Sequence, residues 1–134
     1  MTYGAETWST NKRVEAKLAV AQRAMERRML GITIADRKTN HWIRQQTKVG
    51  DITAEIKKKK WTWAGHVARM KDNRWTQRLS DWQPRDGHRN RGRPLRRWRD
   101  EMDEYWGKVN WKEEANDRKN WRNHAEAFIQ QWID

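Results

Sequence analysis

The chain has 134 residues, of which 30 are Lys or Arg and 18 are Asp or Glu, so its formal net charge is +12. This length accommodates one domain or a piece of a larger one, and it excludes a protein of several enzymatic modules. Cysteine is absent, which excludes disulfides, thiolate zinc sites and cysteine nucleophiles, and the apolar runs are far shorter than a membrane span. We expect an intracellular protein with no membrane partner.

The positive charge is concentrated in the middle of the sequence. The net charge is +6 over residues 1–50, +9 over 51–100 and −3 over 101–134. Clustered Lys and Arg favour a polyanionic partner, because neutralising phosphates releases condensed counterions. The distribution therefore predicts binding to RNA or DNA.

Tryptophan replaces aliphatic residues as the main apolar residue type. Leu, Ile, Val and Phe together number 17, whereas Trp alone numbers 11. Because each Trp can bury about 200 Å² of surface, the composition predicts a small core built largely from Trp.

The first half of the chain carries helical patterns. Apolar residues over 12–30 follow a spacing of three and four, which predicts a helix with its core face at Val14, Leu18, Ala21, Met25 and Met29. Gly31 is a typical helix stop. A short helix is expected over about 40–46.

Asp51 is a good N-cap for the next predicted helix, which extends to Met70. Its predicted apolar stripe consists of Ile52, Ile56, Trp63, Val67 and Met70. Gly65 lies within this helix, where it either admits a close neighbour or is simply tolerated.

The second half contains further helices and one loop. Trp75, Leu79 and Trp82 mark a short helix, and residues 83–93, with Pro and Gly among four arginines, predict a loop. A helix is expected from Pro94 to Trp106. Asn110 begins a last predicted helix, whose stripe is Trp111, Ala115, Trp121, Ala125, Phe128 and Trp132. The class is all-α: a small irregular bundle of about five or six helices with a Trp-rich core.

Two basic segments are candidate nucleic-acid contacts. The first is the run Lys57, Lys58, Lys59 and Lys60 with the neighbouring Trp61. Four consecutive lysines cover more than one helical turn, so two or three could contact phosphates, while a solvated face is the alternative. We assign Trp63 to the core and Trp61 to base stacking.

The second segment surrounds the expected helix start at Pro94. Its candidate contacts are Arg89, Arg91, Arg93, Arg96 and Arg97. Arginines at a helix start oppose the macrodipole, so they do not stabilise the helix, and with the free N–H groups they would form a phosphate site. The alternative is an ordinary solvated basic loop.

The sequence offers no convincing catalytic or metal-binding set. The histidines, at 41, 66, 88 and 124, are scattered. The carboxylates of Asp100, Glu101, Asp103 and Glu104 are better explained as helical ion pairs, from Arg96 to Asp100, Arg97 to Glu101 and Arg99 to Asp103. We expect no cofactor and no bound metal.

Six segments in order resemble the C-terminal part of the endonuclease and reverse transcriptase protein of non-LTR, LINE-like retrotransposons. They are TYGAETW (2–8), ERRMLGI (26–32), KWTWAGHVARM (60–70), RWTQRLSDWQPR (74–85), RGRPLRRWRDEM (91–102) and DRKNWRNHAEAFIQQW (117–132). The polymerase motif with paired aspartates is absent from the sequence. The resemblance thus implies a non-catalytic fragment of an RNA-directed DNA polymerase.

The resemblance also implies an organisation and partners. Residues 1–36 would be the thumb-like end of the polymerase, and 37–134 a basic helical extension with the loop at 83–93. The parent would bind template RNA and target DNA, the fragment would contact the upstream polymerase domain, and its location would be nuclear.

Three alternatives remain open from the sequence. Arg91–Arg93 could be an AT-hook of a free-standing chromatin protein, since Arg enters narrow A·T minor grooves. The chain could retain a residual nuclease activity at its carboxylates. It could also be an element remnant with no function.

Overall fold

A computed structural model describes residues 2–72, 74–82 and 96–133. These residues form eight α-helices, two short 3₁₀ helices and no strand. The α-helices are α1 (Lys12–Met29), α2 (Asn40–Thr47), α3 (Ile52–Ala68), α4 (Trp75–Asp81), α5 (Asp100–Trp106), α6 (Trp111–Glu114), α7 (Arg118–Asn123) and α8 (Ala125–Ile133). Six of them have seven residues or more, which confirms the predicted all-α class. Within these ranges no helix is long and apolar enough to cross a membrane.

Local signals set the ends of the long helices as predicted. The Asn11 side chain accepts a hydrogen bond from the Val14 N–H at the start of α1, and Gly31 ends this helix with φ +65°. Asp51 caps α3 by accepting from the N–H groups of Thr53 and Ala54. The predicted positions of α1, α2 and α3 are confirmed to within two residues.

Of the predicted core face of α1, only Leu18 packs against the core. Val14, Met25 and Met29 are exposed, whereas Gln22 and Glu26 are buried. The reason is a polar contact: the Gln22 amide donates to the Gly50 carbonyl (2.7 Å) and accepts from the Ile52 N–H (2.8 Å). These backbone groups at the start of α3 require polar partners once buried, so the polar face of α1 turns inward.

Helix α3 is the centre of the fold, with contacts to the N-terminal 3₁₀ helix Ala5–Thr7, α1, α4, α6 and α8. Its buried side chains contribute to two apolar clusters. The smaller cluster contains Ala5, Ile52 and Ile56. The larger contains Trp61, Ala64, Met102, Trp111, Ala115, Trp121 and Phe128. A Trp-rich core is thereby confirmed.

Trp61 and Trp121 form the centre of the larger cluster. Their rings stack with centroids 4.0 Å apart and planes 14° from parallel. Each indole N–H donates to the other residue's carbonyl, at 3.0 Å from Trp61 and 3.2 Å from Trp121. The pair thus buries two large rings without leaving an indole N–H unsatisfied.

The C-terminal helices differ from the prediction in their boundaries. The expected single helix after Asn110 is divided into α6, α7 and α8, because Asp117 caps a new helix at the N–H groups of Lys119 and Asn120. Most of the predicted stripe is nevertheless buried, including Trp111, Trp121 and Phe128. The predicted helix from Pro94 begins at Asp100 instead. The predicted loop at 83–93 lies outside the described residues.

We predict that Gly65→Ala destabilises the protein. A Cβ at this position would lie 2.5 Å from the Trp121 Nε1 atom, so the stacked pair would have to move. Overpacking of this kind costs about 1–3 kcal/mol, which exceeds the gain of about 1 kcal/mol in helix propensity. Urea denaturation of the two proteins measures the difference.

Gly50→Ala is the matched control, since a Cβ there meets only the Glu55 carboxylate at 3.8 Å. Its unfolding free energy should stay close to that of the parent chain. Equal stability of Gly65→Ala and the parent would contradict the described packing of Trp121.

Candidate nucleic-acid interface

Lys57 and Lys60 are buried, each with about one hundredth of its surface exposed. They lie on the same side of α3 as Trp61 and Ala64, the side that faces the core. The prediction that these two lysines contact nucleic acid is therefore wrong. Lys58 is exposed, and half-buried Lys59 donates to the Thr2 carbonyl (2.8 Å).

Two carboxylates, that of buried Glu101 and that of half-buried Glu15, neutralise these lysines. Lys57 Nζ lies 2.7 Å from Glu15 Oε1 and 3.1 Å from Glu101 Oε2, and Lys60 Nζ lies 3.2 Å from the same Glu101 oxygen. We call these four residues the buried ion cluster. Burial raises the pKa of Glu15, but hydrogen bonds from Lys57 and Thr10 outweigh it, so the net shift is downward. The cluster joins α1, α3 and α5.

Aromatic rings complete the surroundings of the buried ion cluster. Lys57 Nζ lies 4.9 Å from the ring centroid of Trp132, and Lys60 Nζ lies 5.4 Å from that of Trp98. Such contacts partly replace the hydration that a buried ammonium loses. Burial still lowers the pKa of Lys60 to about 8, against the opposing effect of Glu101.

The structure places Trp61, and not Trp63, in the core. Trp61 is in the core, stacked on Trp121, so it cannot stack on a base. Trp63 is half-buried and packs against His66, with ring centroids 5.4 Å apart. The reason is that residue 61, not 63, continues the buried stripe through Lys57 and Ala64.

The predicted phosphate site at the start of α5 is corrected as well. Arg96 lies before the helix, where its guanidinium pairs with Glu104 (2.6 Å) and stacks over Trp132 (4.5 Å). It does not pair with Asp100, whose carboxylate accepts from the Arg97 N–H (2.7 Å). Arg99 pairs with Asp103 at 2.9 Å, as predicted.

The corrected helix start also reverses the dipole argument. The first turn of α5 carries Asp100, Glu101 and Asp103, and acidic residues stabilise a helix N-terminus. The arginines precede the helix and do not oppose its dipole. A phosphate role for Arg97 stays a prediction. Arg89, Arg91 and Arg93 lie outside the described residues, and so does Pro94.

A different set of basic residues meets on the outer side of α3. A groove of about 290 Å³ lies between α3, α7 and the start of α8. Four cations, Lys58, Arg69, Arg118 and Arg122, line this groove, and its other lining residues are Trp61, Thr62, Trp121 and Ala125. We call it the α3–α7 groove. Its lining contains no carboxylate.

The electrostatics of the α3–α7 groove are those of an anion site. Burial lowers the pKa of Arg69, and the nearby charges of Arg118 and Arg122 lower it further. The Arg69 guanidinium is held in place by donating to the Ala115 carbonyl (2.7 Å). Among the described residues Arg118 and Arg122 have no acidic partner within salt-bridge distance. The groove can therefore offer several cationic donors to phosphate oxygens.

A second cavity, of about 590 Å³, adjoins this groove along α3. Both are lined by Lys58, Thr62 and Arg69, and the second adds Lys59, Trp63 and His66. Glu6 and Glu55 also line it, so its charge is mixed. The uniformly basic surface is thus the α3–α7 groove.

The sequence prediction missed Arg69, Arg118 and Arg122. The C-terminal third has a net negative charge, which concealed the two arginines of α7. The available signal was their spacing of four, which puts both on one side of a helix next to the apolar stripe. Arg69 could be assigned to the groove only once α3 and α7 were known to pack together.

Metal ligands do not cluster in the described ranges. No group of three or more His, Asp or Glu residues there could hold a metal ion. The carboxylates of α5 are used in other contacts: Glu101 in the buried ion cluster, Asp103 with Arg99, and Glu104 with Arg96.

The geometry defines an all-α protein with a basic surface groove, and one comparison with known proteins bears on its origin. No protein-family profile matches the chain, and no solved structure matches it. The chain is 36% identical over 133 residues to an uncharacterized transposon-derived protein of Caenorhabditis elegans. The match covers 90% of this chain and 48% of the relative, so the chain spans about half the length of that protein. This similarity supports a transposon-related origin.

We predict that Lys60→Met removes a pH dependence of stability. The pKa of Lys60 is about 8 in the folded chain and near its ordinary value of 10.5 when unfolded. Between these pH values only the unfolded chain holds the proton, so the unfolding free energy of the parent rises with pH, by up to about 3 kcal/mol. Below pH 8 the full cost of burying the charge is present.

Urea denaturation at several pH values from 7 to 10.5 checks this prediction. The difference between parent and Lys60→Met isolates Lys60 from other groups that titrate in the same window. Lys58→Met, which removes an exposed charge from the same helix, should keep the rise. An identical rise in parent and Lys60→Met would contradict the prediction.

Proposed function

We propose that this chain is a non-catalytic, nucleic-acid-binding part of a transposon-derived protein, and that the α3–α7 groove contacts the sugar-phosphate backbone. The observation that carries the proposal is the convergence of Lys58, Arg69, Arg118 and Arg122 on one groove without a carboxylate. Like charges brought together repel one another, and an anion in the groove relieves that repulsion.

Phosphate groups fit the chemistry of the groove. Arg118 and Arg122 lie one turn apart on α7, and Arg69 faces them from the end of α3. Each guanidinium group can donate two parallel hydrogen bonds to phosphate oxygens. Several of them in a row can contact successive phosphates of a nucleic-acid backbone without contacting the bases. The proposal keeps Lys58 from the sequence prediction and replaces Lys57, Lys60 and Trp61.

The parent protein is the finer part of the proposal. The six sequence segments resemble the C-terminal part of a retrotransposon reverse transcriptase, and the similarity to a transposon-derived protein supports an origin of this kind. We propose that the parent is an RNA-directed DNA polymerase and that this part binds template RNA or target DNA beside the polymerase domain. The location would then be nuclear, and this part would need no cofactor.

Neutralising the groove is expected to weaken nucleic-acid binding. The double variant Arg118→Gln and Arg122→Gln removes two cations from exposed positions, so the fold should persist. We expect at least about a tenfold rise in Kd, because hydrogen bonds from charged groups are worth about 1.5–3 kcal/mol each. The slope of log K against log salt should become shallower by about 0.7–0.9 for each phosphate that the variant no longer neutralises.

Fluorescence anisotropy with labelled RNA and DNA oligonucleotides over a salt series gives both quantities. The matched control is Arg13→Gln with Lys17→Gln, an exposed pair of cations with the same spacing on α1. It changes the net charge equally and should change the affinity much less. Equal losses in the two double variants would mean that net charge alone causes binding, and would sink the groove assignment.

A further inference from the structure

Helix α4 has its apolar face turned outward. Trp75, Leu79 and Trp82 have exposed fractions of 74%, 67% and 66%. Monomeric soluble proteins seldom leave a contiguous group of large apolar side chains on the surface, and such patches typically mark interaction sites. These three residues, which we call the α4 aromatic face, therefore require an explanation.

Polar contacts hold α4 in this orientation. Gln77 donates from Nε2 to the Met70 carbonyl (2.7 Å). Asp81 accepts from Arg99 (3.2 Å) and pairs with Lys112, which joins α4 to α5 and α6. The side of α4 that faces the protein is thus its polar side. Rotating the helix to bury the rings would break these contacts.

The two rings are spaced to act together. Trp75 begins α4 and Trp82, in extended conformation, directly follows its last residue, so the two residues lie at opposite ends of the helix, with Cα atoms about 10.5 Å apart along its axis. The Arg78 guanidinium lies between these positions, 5.6 Å from the Trp75 ring centroid. Flat rings with a guanidinium beside them are the recurring elements of surfaces on which unpaired bases stack.

The charge around α4 complements a polyanion. Residues 71–78 contain Lys71, Arg74 and Arg78 and one carboxylate, that of Asp72, which pairs with Arg74 (2.8 Å). The carboxylate of Asp81 is occupied by Arg99 and Lys112, so it does not offset the charge of the face. An acidic polymer with flat apolar groups fits this combination, and single-stranded nucleic acid has both properties.

We propose that the α4 aromatic face binds the unpaired bases of single-stranded RNA or DNA by stacking on Trp75 and Trp82. This inference rests on the proposed function, because it specifies the form of nucleic acid that the protein prefers. Arg69 lines the α3–α7 groove, and the next residue, Met70, accepts the hydrogen bond from α4. Neighbouring residues thus line the groove and anchor α4, and in this proposal one strand follows the groove with its backbone and presents bases to α4.

The test uses the full chain with two labelled probes, oligothymidylate and a DNA hairpin duplex with the same number of phosphates. Trp75→Leu with Trp82→Leu keeps the face apolar and removes the rings. We expect the Kd for oligothymidylate to rise by about tenfold or more, because its unpaired bases stack on aromatic rings and Leu has none. The Kd for the duplex should stay within about twofold, because its bases are paired and do not stack on the protein. Trp75→Tyr with Trp82→Tyr should restore most of the single-strand affinity.

Two further variants separate this inference from the proposed function. Tyr3→Leu removes an aromatic ring that is 98% exposed elsewhere, and it should leave both Kd values unchanged. Arg118→Gln with Arg122→Gln should weaken both probes. Unchanged oligothymidylate binding in the double Leu variant, with the groove variant still impaired, would overturn stacking and leave the groove intact.

Other outcomes also decide the matter. Equal weakening of both probes by the double Leu variant would overturn the preference for unpaired bases. Sedimentation velocity that shows self-association of the parent, abolished when the rings are replaced, would identify the face as a protein-docking surface instead. No binding of either probe by the parent chain at low salt would refute the proposed function and this inference together.

Discussion

The buried carboxylate of Glu101 is the contact on which the arrangement of the helices depends. It lies between Lys57 and Lys60 of α3, and Lys57 also binds Glu15 of α1. Removing a charge from water costs several kcal/mol, and deleting one partner of a buried ion pair typically lowers the unfolding free energy by about 3–5 kcal/mol. An arrangement of α1, α3 and α5 that separated any of these four side chains would leave a charge unpaired, so the packing that brings them together is favoured.

This requirement explains the positions of two of the tryptophans. A core that contains two ammonium groups needs neighbours that are apolar and yet attract cations, and tryptophan rings have both properties. Trp132 lies against Lys57 and Arg96, and Trp98 lies against Lys60. Aliphatic residues would fill the same space without that attraction. The stacked pair of Trp61 and Trp121 then closes the apolar side of α3, where Gly65 leaves room for the indole.

The positions of α1, α2 and α3 followed from the sequence because they depend on local chemistry. Asn11, Asp51 and Asn110 cap helices by accepting neighbouring N–H groups, and Gly31 ends α1 with a positive φ. The sequence did not predict which sides of α1 and α4 face inward, because the apolar pattern assigns the buried side by the hydrophobic effect alone. In both helices amides or carboxylates bind groups distant in the sequence, as Gln22 binds Gly50 and Asp81 binds Lys112. Such partners become known only when the tertiary structure is known.

The same reasoning limits what net charge says about a binding surface. Four consecutive lysines on a helix point in different directions around its axis. When one side of the helix is buried, some of these lysines are buried with it, here Lys57 and Lys60. The proposed site is instead assembled from Lys58 of the run with Arg69, Arg118 and Arg122, which are separated in sequence by up to 64 positions. Two of these residues come from the segment with net negative charge. For a small, highly charged helical protein, the candidate cations for an anion site are those left without a carboxylate after folding, and only the packing of the helices distinguishes them from the rest.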